Sequence, residues 1–344
     1  MFKQKMKIGE LVLSHKHRSI IIAEIGINHE GSFQRCLDMI LNAKKSKADL
    51  VKLQIADPLS DYSRKSKSYK IFQSAAFSRE QIYNIYKFAK SKDIKIFSTF
   101  GRKNLDFFKK LNQCCYKISS SLFNDFYFTK DILKLNKPVI LSTGLSELKD
   151  IDLMLKLIKK ENLDNLAILH CRSLYPTIPR KLNLSRISYL RKKYGIIAGF
   201  SDHSQGIEAA VASIHHGSKI IEKHFTYNER RKGYDHKISL EPKNFKKMVS
   251  AIRLNEAMIG KQDYILNENN LDFKKIKKIS RSFVVLRNIK KNQKLIKNDF
   301  SLKRMNDSKN YGKFHQIFPK ILKKKINNDI KAGHILKIND FKKN

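Results

Sequence analysis

The sequence contains no long hydrophobic run and only a few cysteines. No stretch approaches the roughly 18 consecutive apolar residues that a membrane-spanning helix requires. The first twenty residues contain neither a continuous apolar segment nor a small-residue cleavage site, so we expect no secretory signal and no membrane partner. The four cysteines, Cys36, Cys114, Cys115 and Cys171, form no C-x-x-C pair. This usage is typical of reduced thiols in a cytoplasmic protein.

Acidic residues are also scarce. The chain has 71 Lys and Arg against 31 Asp and Glu, which gives a formal net charge of +40. Such a charge attracts phosphates, nucleic acids and anionic surfaces. The lysines are nevertheless spread through nearly every segment and accompany abundant Ile and Asn, which favours a compositional bias. A nucleic-acid-binding protein would need aromatics interleaved with clustered basic residues, so we expect no nucleic-acid partner.

The pattern of apolar residues predicts an α/β fold. At 344 residues and 41% hydrophobic composition, the chain can form one large domain and a small one. The predicted strands are Ile20–Gly26, Leu50–Gln54, Lys95–Thr99, Cys115–Ser119, Pro138–Thr143, Leu166–Cys171, Ile196–Asp202 and Ile220–Phe225. Continuous apolar strands separated by helix-length segments favour a parallel sheet that is covered on both faces. Eight such units in about 250 residues fit a (β/α)8 TIM barrel. The alternative, a doubly wound sheet, lacks its Gly-rich turn after the first strand.

The domain organisation follows from where this alternation stops. Helical patterns are predicted at Gln34–Lys45, Arg79–Lys90, Glu147–Lys160, Gly206–His215 and Pro242–Met258. We expect a barrel domain over residues 1–260, a polar linker over 261–279 and a small, mostly β domain over 280–344. In that last part, short strands are predicted at Ser282–Leu286, Lys294–Ile296 and Ile335–Ile338. Two of its stretches, NIKKNQKLIKNDF and DIKAGHILKINDF, form a weak internal repeat.

Every predicted barrel strand ends in polar or ionisable residues. Because the chemistry of a TIM barrel lies at the C-terminal ends of its strands, we expect these groups to meet at one mouth and form an active site. In strand order they are Glu24, Asn28 and His29; Lys52 and Gln54; Ser98 and Thr99; Lys117, Ser119 and Ser120; Ser142 and Thr143; His170, Ser173 and Tyr175; Ser201, Asp202 and His203; and Glu222, Lys223 and His224.

Two histidines in this set are candidate metal ligands. His203 and His224 end adjacent strands, which lie about 4.8 Å apart, so both imidazoles can reach one ion. Two protein ligands leave positions open for water or substrate oxygens, which suits Mn²⁺ most and Mg²⁺ as the alternative. Zinc would normally recruit a third tight ligand, and we expect no thiol or third histidine there.

Two lysines and four hydroxyls form a second candidate group. Lys52 and Lys117 could bind a phosphate and a carboxylate together, with hydroxyl donors beside them. The hydroxyl donors are Thr99, Ser120, Ser142 and Ser201. The alternative is that strand lysines point outward to solvent.

With these residues identified, the chain resembles the sialic acid (N-acetylneuraminate) synthase family, which includes the legionaminate and pseudaminate synthases. The similar stretches are IIAEIGINHEG, ADLVKLQ, IFSTF, YKISS, KPVILSTG, LHCRSLYPT, GFSDHSQG and IIEKHFTYNERRKGYDHKISLEP. The final 65 residues resemble the antifreeze-like (SAF, β-clip) domain that follows the barrel in this family. The resemblance implies condensation of phosphoenolpyruvate with the aldehyde of an open-chain 2-acetamido sugar, such as N-acetylmannosamine, with release of phosphate.

The resemblance also implies roles for individual residues. Glu24 would be the catalytic acid/base or water-orienting group. Lys52, Thr99, Lys117, Ser120, Ser142 and Ser201 would bind phosphoenolpyruvate, and His203 and His224 the metal. Gln54, Tyr175 and Asp235 would contact the sugar. Arg304 matches the arginine by which the tail of one subunit closes the barrel of the other, which implies a domain-swapped homodimer.

The sequence departs from the family pattern mainly on the sugar side. Ser98-Thr99-Phe100-Gly101 replaces S-T-P-F, and Ser121-Leu122 replaces Gly-Glu, whose glutamate contacts the sugar. Ser173 replaces a frequent Asn, Arg304-Met305-Asn306 replaces Arg-Pro-Gly, and the segment Asp57–Phe77 looks short. Loss of a carboxylate argues for a different or less polar sugar substituent. A catalytically inactive, sugar-binding or scaffolding barrel is the alternative; it would have little use for Glu24, both lysines, both histidines and Asp235 together.

Overall fold

The structure is a computed structural model that describes residues 5–14, 16–158, 163–260, 280–304 and 314–342. The chain divides into two compact units, Met1–Gly260 and Lys261–Asn344. The predicted linker at 261–279, the end of the predicted helix Glu147–Lys160, and the departures at Met305 and Asn306 lie outside the described residues.

The first unit is a closed parallel barrel of eight strands, which confirms the TIM-barrel prediction. A hairpin of β1 (Met6–Ile8) and β2 (Leu11–Leu13) precedes it. The barrel strands are β3 (Ile20–Gly26), β4 (Leu50–Gln54), β5 (Ile96–Thr99), β6 (Tyr116–Ile118), β7 (Val139–Ser142), β8 (Leu166–Cys171), β9 (Ile197–Asp202) and β10 (Ile220–His224). Strand β10 pairs with both β9 and β3, with His224 opposite Glu24, and this closes the barrel.

The inside of the barrel is apolar at one end and polar at the other. Alternate residues of each strand point inward. Near the N-terminal ends these form a buried apolar cluster that includes Ile22, Leu50, Phe97, Ile140 and Leu169, and the β1–β2 hairpin adds Met6, Ile8 and Leu13 to it. Two residues further along each strand, the same inward register brings polar side chains such as Glu24, Lys52, Thr99, Lys117 and Ser142 to the other end. One register therefore builds both the core and the site.

Helices cover the outside of the barrel and bury their apolar faces against the strands. Their bounds are Phe33–Lys45, Pro58–Asp61, Lys67–Ala75, Arg79–Ser91, Leu105–Lys110, Phe126–Leu133, Leu148–Leu157, Ser185–Tyr194, Glu208–Ser213 and Pro242–Ile259. Serines define several starts: Ser32 accepts a hydrogen bond from the Arg35 N–H, and Ser78 forms a capping box with Gln81. Of the described helices, none combines the length and the apolar character that crossing a membrane requires.

The second unit has its own small core. Antiparallel strands β11 (Arg281–Val285) and β12 (Phe300–Arg304) pack with a helix at Phe314–Lys323. The two halves of the predicted repeat end in the same 3-10 turn. In one, the Asp299 carboxylate accepts from the Ile296 N–H at 2.9 Å; in the other, Asp340 accepts from the Lys337 N–H at 2.6 Å.

Candidate active site

A cavity of about 470 Å³ opens at the C-terminal ends of the barrel strands, and we call it the main cavity. Every predicted site residue of the barrel lines it. These are Glu24, Lys52, Gln54, Thr99, Lys117, Ser120, Ser142, Tyr175, Ser201, His203, His224 and Asp235. Arg304 lies at the end of β12 in the second unit.

The expectation that all polar strand ends face this mouth is wrong for several of them. Strand residues alternate between inside and outside, so Lys223 points away from the barrel interior that Glu222 and His224 occupy. Its ammonium contacts Asp202 Oδ2 at 2.9 Å, and both side chains are fully buried. His170 likewise hydrogen-bonds the Leu182 carbonyl oxygen at 2.7 Å instead of lining the cavity. The other members that do not line it are Asn28, His29, Ser98 and Thr143.

Four ionisable side chains form a buried cluster at the floor of the cavity. Lys52 Nζ lies 2.5 Å from Glu24 Oε2 and 3.5 Å from Glu222 Oε1. Lys117 Nζ lies 3.3 Å from the same Glu222 oxygen, which also accepts a hydrogen bond from Ser201 at 3.0 Å. Glu222 was not predicted as a site residue. Its inward register, two residues before His224, was the signal that could have identified it.

The two carboxylates of this cluster differ in their affinity for a proton. Burial raises the pKa of Glu24 to about 7, although Lys52 opposes the shift; the Glu222 charge adds to it. Burial also acts on Glu222, but the Lys117 and Lys52 ammonium groups outweigh it and lower the pKa of Glu222 to about 2. Glu222 therefore stays ionised between the lysines, while Glu24 can hold or release a proton near neutral pH.

Hydroxyl groups stand beside the lysines. Ser142 Oγ is buried and has no hydrogen-bond partner among the described residues. Ser120 Oγ accepts from the Gly144 N–H at 2.9 Å. A Cβ at Gly144 would lie 2.8 Å from Ser120 Oγ and 2.9 Å from Cys171 Sγ, so glycine is needed for this close approach. A buried donor without a partner, next to two ammonium groups, suits an anionic ligand.

The two predicted metal ligands face each other across the cavity. The ring centroids of His203 and His224 are 5.4 Å apart. His203 Nδ1 lies 2.8 Å from the Arg172 carbonyl oxygen, so this nitrogen carries the proton and Nε2 keeps its lone pair. His224 Nδ1 is buried without a hydrogen-bond partner in the described part of the chain, and it lies 3.6 Å from Asp235 Oδ2. These rings fit a divalent ion that takes its other ligands from water or substrate.

The expectation that no thiol lies near this pair is wrong. Cys171 lines the cavity, and its Sγ lies 3.6 Å from His203 Nδ1. The cysteine ends β8 in the inward register, which is why it reaches the cavity. Within the ranges that the structure describes, no group of three or more His, Cys, Asp and Glu is arranged to hold a metal ion.

The segment between β4 and the helix Arg79–Ser91 also lines the cavity, which the sequence did not predict. Its two short helices bring Tyr62, Ser68 and Phe72 to the wall. The rings of Tyr62 and Phe72 stack with centroids 4.7 Å apart. These aromatic side chains give the main cavity an apolar side opposite its charged floor.

Comparison with known proteins identifies the family. The model of the NeuB family matches residues 39–264. The chain belongs to the NeuB family. It is 33% identical to a pseudaminic acid synthase of Campylobacter jejuni, over 98% of this chain and 100% of that protein. It is 35% identical to an uncharacterized protein of Methanocaldococcus jannaschii, over 98% of this chain and 99% of that one.

A solved structure supports the same placement. The N-acetylneuraminic acid (sialic acid) synthetase of Leptospira borgpetersenii, in complex with citrate, superposes with a TM-score of 0.74 at 27% identity. The match covers 80% of this chain and 96% of the synthetase. This NeuB-family chain is therefore an enzyme of the group that makes sialic acid-like sugars, and the resemblance inferred from its motifs is confirmed.

Proposed function

We propose that this enzyme condenses phosphoenolpyruvate with the aldehyde of an open-chain 2-acetamido sugar. In the reaction, C3 of phosphoenolpyruvate forms a bond with the aldehyde carbon, and the aldehyde oxygen takes up a proton. Water adds to C2, and inorganic phosphate leaves from C2 with the bridging oxygen. The product is a nine-carbon 2-keto acid when the acceptor is a hexose derivative.

One arrangement carries this proposal: two buried ammonium groups and two imidazoles line the same cavity. Lys52 and Lys117 are 5% and 3% exposed, and only the carboxylates of Glu24 and Glu222 balance them. An enzyme that takes a substrate with both a phosphate and a carboxylate needs such fixed cations in a dry site. A sugar-binding scaffold has no need to keep them buried.

The residues around the reacting carbons have distinct tasks. Lys52 and Lys117 would hold the phosphate and carboxylate, and Ser142 Oγ would donate its unused hydrogen bond to one of these groups. Glu24 would orient the attacking water and take its proton, because burial raises the pKa of its carboxyl to about 7. Thr99, Ser120 and Ser201 would complete the anion pocket. Gln54, Tyr175 and Asp235 would contact the sugar.

His203 and His224 would hold a divalent metal, with Mn²⁺ preferred over Mg²⁺ because Mg²⁺ favours all-oxygen ligands. When bound, such an ion would polarise the aldehyde oxygen of the acceptor. The hydrogen bond from His203 Nδ1 to the Arg172 carbonyl oxygen keeps that ring in the orientation a ligand needs.

We also propose that the protein acts as a domain-swapped homodimer in which Arg304 of one chain closes the barrel of the other. The support is the family match and the place of Arg304 at the end of a strand in a separate unit. Mixing an Arg304→Ala chain with a Glu24→Gln chain tests this, since only a swapped dimer regains one intact site.

The experiment for the main proposal measures phosphate release from phosphoenolpyruvate. We expect release only when Mn²⁺ or Mg²⁺ and a 2-acetamido sugar are both present. A panel of N-acetylmannosamine, diacetylated 6-deoxy sugars and their phosphates, with products identified by mass, would name the acceptor. No release with any of them would contradict the proposal and favour the binding or scaffolding alternative.

A further inference from the structure

A second cavity adjoins the main cavity on the side of β4, β5 and β6. It has a volume of about 330 Å³, and we call it the side chamber. Its walls include Asp61, Phe100, Gly101, Arg102 and Leu122. The two cavities share lining residues, namely Gln54, Tyr62, Thr99, Ser119 and Ser121. A substituent of a sugar bound in the main cavity therefore has a space beside it.

The side chamber contains the barrel residues that depart most from the family pattern. Phe100 and Gly101 follow β5, and Ser121 and Leu122 follow β6; all four line the chamber. Leu122 stands where the family has a glutamate that contacts the sugar. The changes on the sugar side are thus not scattered around the main cavity but lie together around this one space.

Gly101 makes room for the carboxylate of Asp61. A Cβ on residue 101 would overlap the Asp61 carboxylate. Asp61 Oδ2 accepts the Asp57 N–H at 2.9 Å, and Oδ1 accepts from Ser60 Oγ at 3.2 Å. Each carboxylate oxygen can accept a further hydrogen bond, so the group is fixed in place and retains acceptor capacity toward the chamber.

The charges around the chamber disfavour a phosphate. Arg102 is its guanidinium group, and this already lies 3.9 Å from both Asp125 Oδ1 and Asp131 Oδ2. The Asp61 carboxylate would repel a dianion directly. A phosphorylated acceptor would therefore find no uncompensated positive charge here, in contrast to the floor of the main cavity.

We propose that the side chamber binds an N-acyl group carried by the acceptor sugar at a position remote from its aldehyde. The Asp61 carboxylate accepts the amide N–H, and Ser121 Oγ or Arg102 donates to the amide carbonyl oxygen. The acyl methyl packs against Leu122 and the Phe100 ring, which replaces the hydroxyl contact that a glutamate would make. The acceptor is then an unphosphorylated sugar with two acylamino groups. This inference rests on the proposed function.

The test compares three acceptors under identical conditions: N-acetylmannosamine, its 6-phosphate, and a 2,4-diacetamido-2,4,6-trideoxyhexose. We expect kcat/KM for the diacetamido sugar to exceed that for the other two by at least about tenfold. An equal or higher value for either of the others overturns the chamber proposal while leaving the proposed function intact. Absence of phosphate release with all three overturns both.

Two variants locate the effect in the chamber. In Asp61→Asn, the amide oxygen must still accept the Asp57 N–H, so the NH₂ group faces the chamber and cannot accept the amide N–H of the sugar. We expect about a tenfold rise in KM for the diacetamido sugar and no change in KM for phosphoenolpyruvate. The matched control is Asp57→Asn, which removes the same charge from the same segment but does not line the chamber.

Leu122→Glu should act in the opposite sense. It introduces a carboxylate against the acyl methyl, so the preference for the diacetamido sugar over N-acetylmannosamine should fall at least about tenfold. If Asp61→Asn changes all acceptors equally, or if Asp57→Asn has the same effect, the side chamber does not select the acceptor. Circular dichroism and the melting temperature of each variant would exclude a loss of fold as the cause.

Discussion

The guanidinium of Arg231 donates to both carboxylate oxygens of Glu30, at 2.6 Å each. Arg35, Tyr227 and His236 donate to the same carboxylate. Burial opposes ionisation of Glu30, but the hydrogen bonds from Arg231, Tyr227 and His236 lower its pKa to about 2. Glu30 thereby joins the loop after β3 to the loop after β10. The second loop carries Asp235, which lines the main cavity next to His224.

Glu30→Gln should loosen the loop after β10. A neutral amide cannot accept from four donors as a carboxylate does, so we expect a loss of about 2 kcal/mol in the free energy of unfolding. Limited trypsin digestion should cut faster at Arg230, Arg231 and Lys232, and KM for the acceptor should rise more than KM for phosphoenolpyruvate. Asp106→Asn is the control, since it removes only the exposed Lys109–Asp106 ion pair. Unchanged digestion would show that Glu30 does not hold the loop.

Ser142→Ala should separate stability from binding. The buried Ser142 hydroxyl has no partner among the described residues, so its removal should leave the free energy of unfolding unchanged or raise it by up to about 1 kcal/mol. KM for phosphoenolpyruvate should rise at least about tenfold if this hydroxyl binds the anion, a loss of about 1.4 kcal/mol.

The matched control for that change is Ser213→Ala. Ser213 is also buried, but its hydroxyl donates to the Ala210 carbonyl oxygen at 2.7 Å, far from the cavity lining. It should lose stability and keep its KM for phosphoenolpyruvate. Equal kinetic effects in the two variants would argue against a role for Ser142 in anion binding.

Two buried histidines should make the protein sensitive to mild acid. Burial, with Arg35 adding, lowers the pKa of His29 to about 3, and burial lowers the pKa of His170 to about 4. The unfolded chain binds these protons below about pH 6.5, whereas the folded chain does not. Stability should therefore fall as the pH drops from 6.5 toward 4.

Urea unfolding at pH 7.5, 5.5 and 4.5 would measure this loss. His29→Gln removes one of the two groups, so its stability should change less steeply with pH than that of the wild type, whatever its absolute value. The exposed His215 provides a control, because His215→Gln should leave the slope unchanged. A parallel pH dependence of the wild type and His29→Gln would contradict the assignment.

The barrel was predictable because its strands are continuous apolar runs, and their inward register continues unbroken from core to cavity. Ile22 and Glu24, or Leu50 and Lys52, lie two residues apart on the same face, so locating the core also located the site. Lys223 and His170 were misplaced because the sequence analysis counted strand ends without separating the two faces of each strand.

Other features depend on contacts that a sequence pattern does not contain. The helices that bring Tyr62 and Phe72 to the cavity are short, and their positions depend on packing against loops far away in sequence. Glu222 and Cys171 became site residues only when the closed barrel placed them beside Lys117 and His203. The side chamber likewise requires Gly101 and Asp61, which are 40 residues apart in the chain, to meet.

The most direct test of the central claim follows the bridging oxygen of phosphoenolpyruvate. The enzyme would be given phosphoenolpyruvate labelled with ¹⁸O at the C2–O–P bridge, a metal ion and the acceptor from the panel, with the His203→Ala/His224→Ala variant in parallel. The account predicts that the wild type transfers the label to inorganic phosphate as the condensed acid forms. It also predicts that the folded double variant releases no phosphate. Label retained in the organic product, or undiminished turnover by the double variant, would contradict the account.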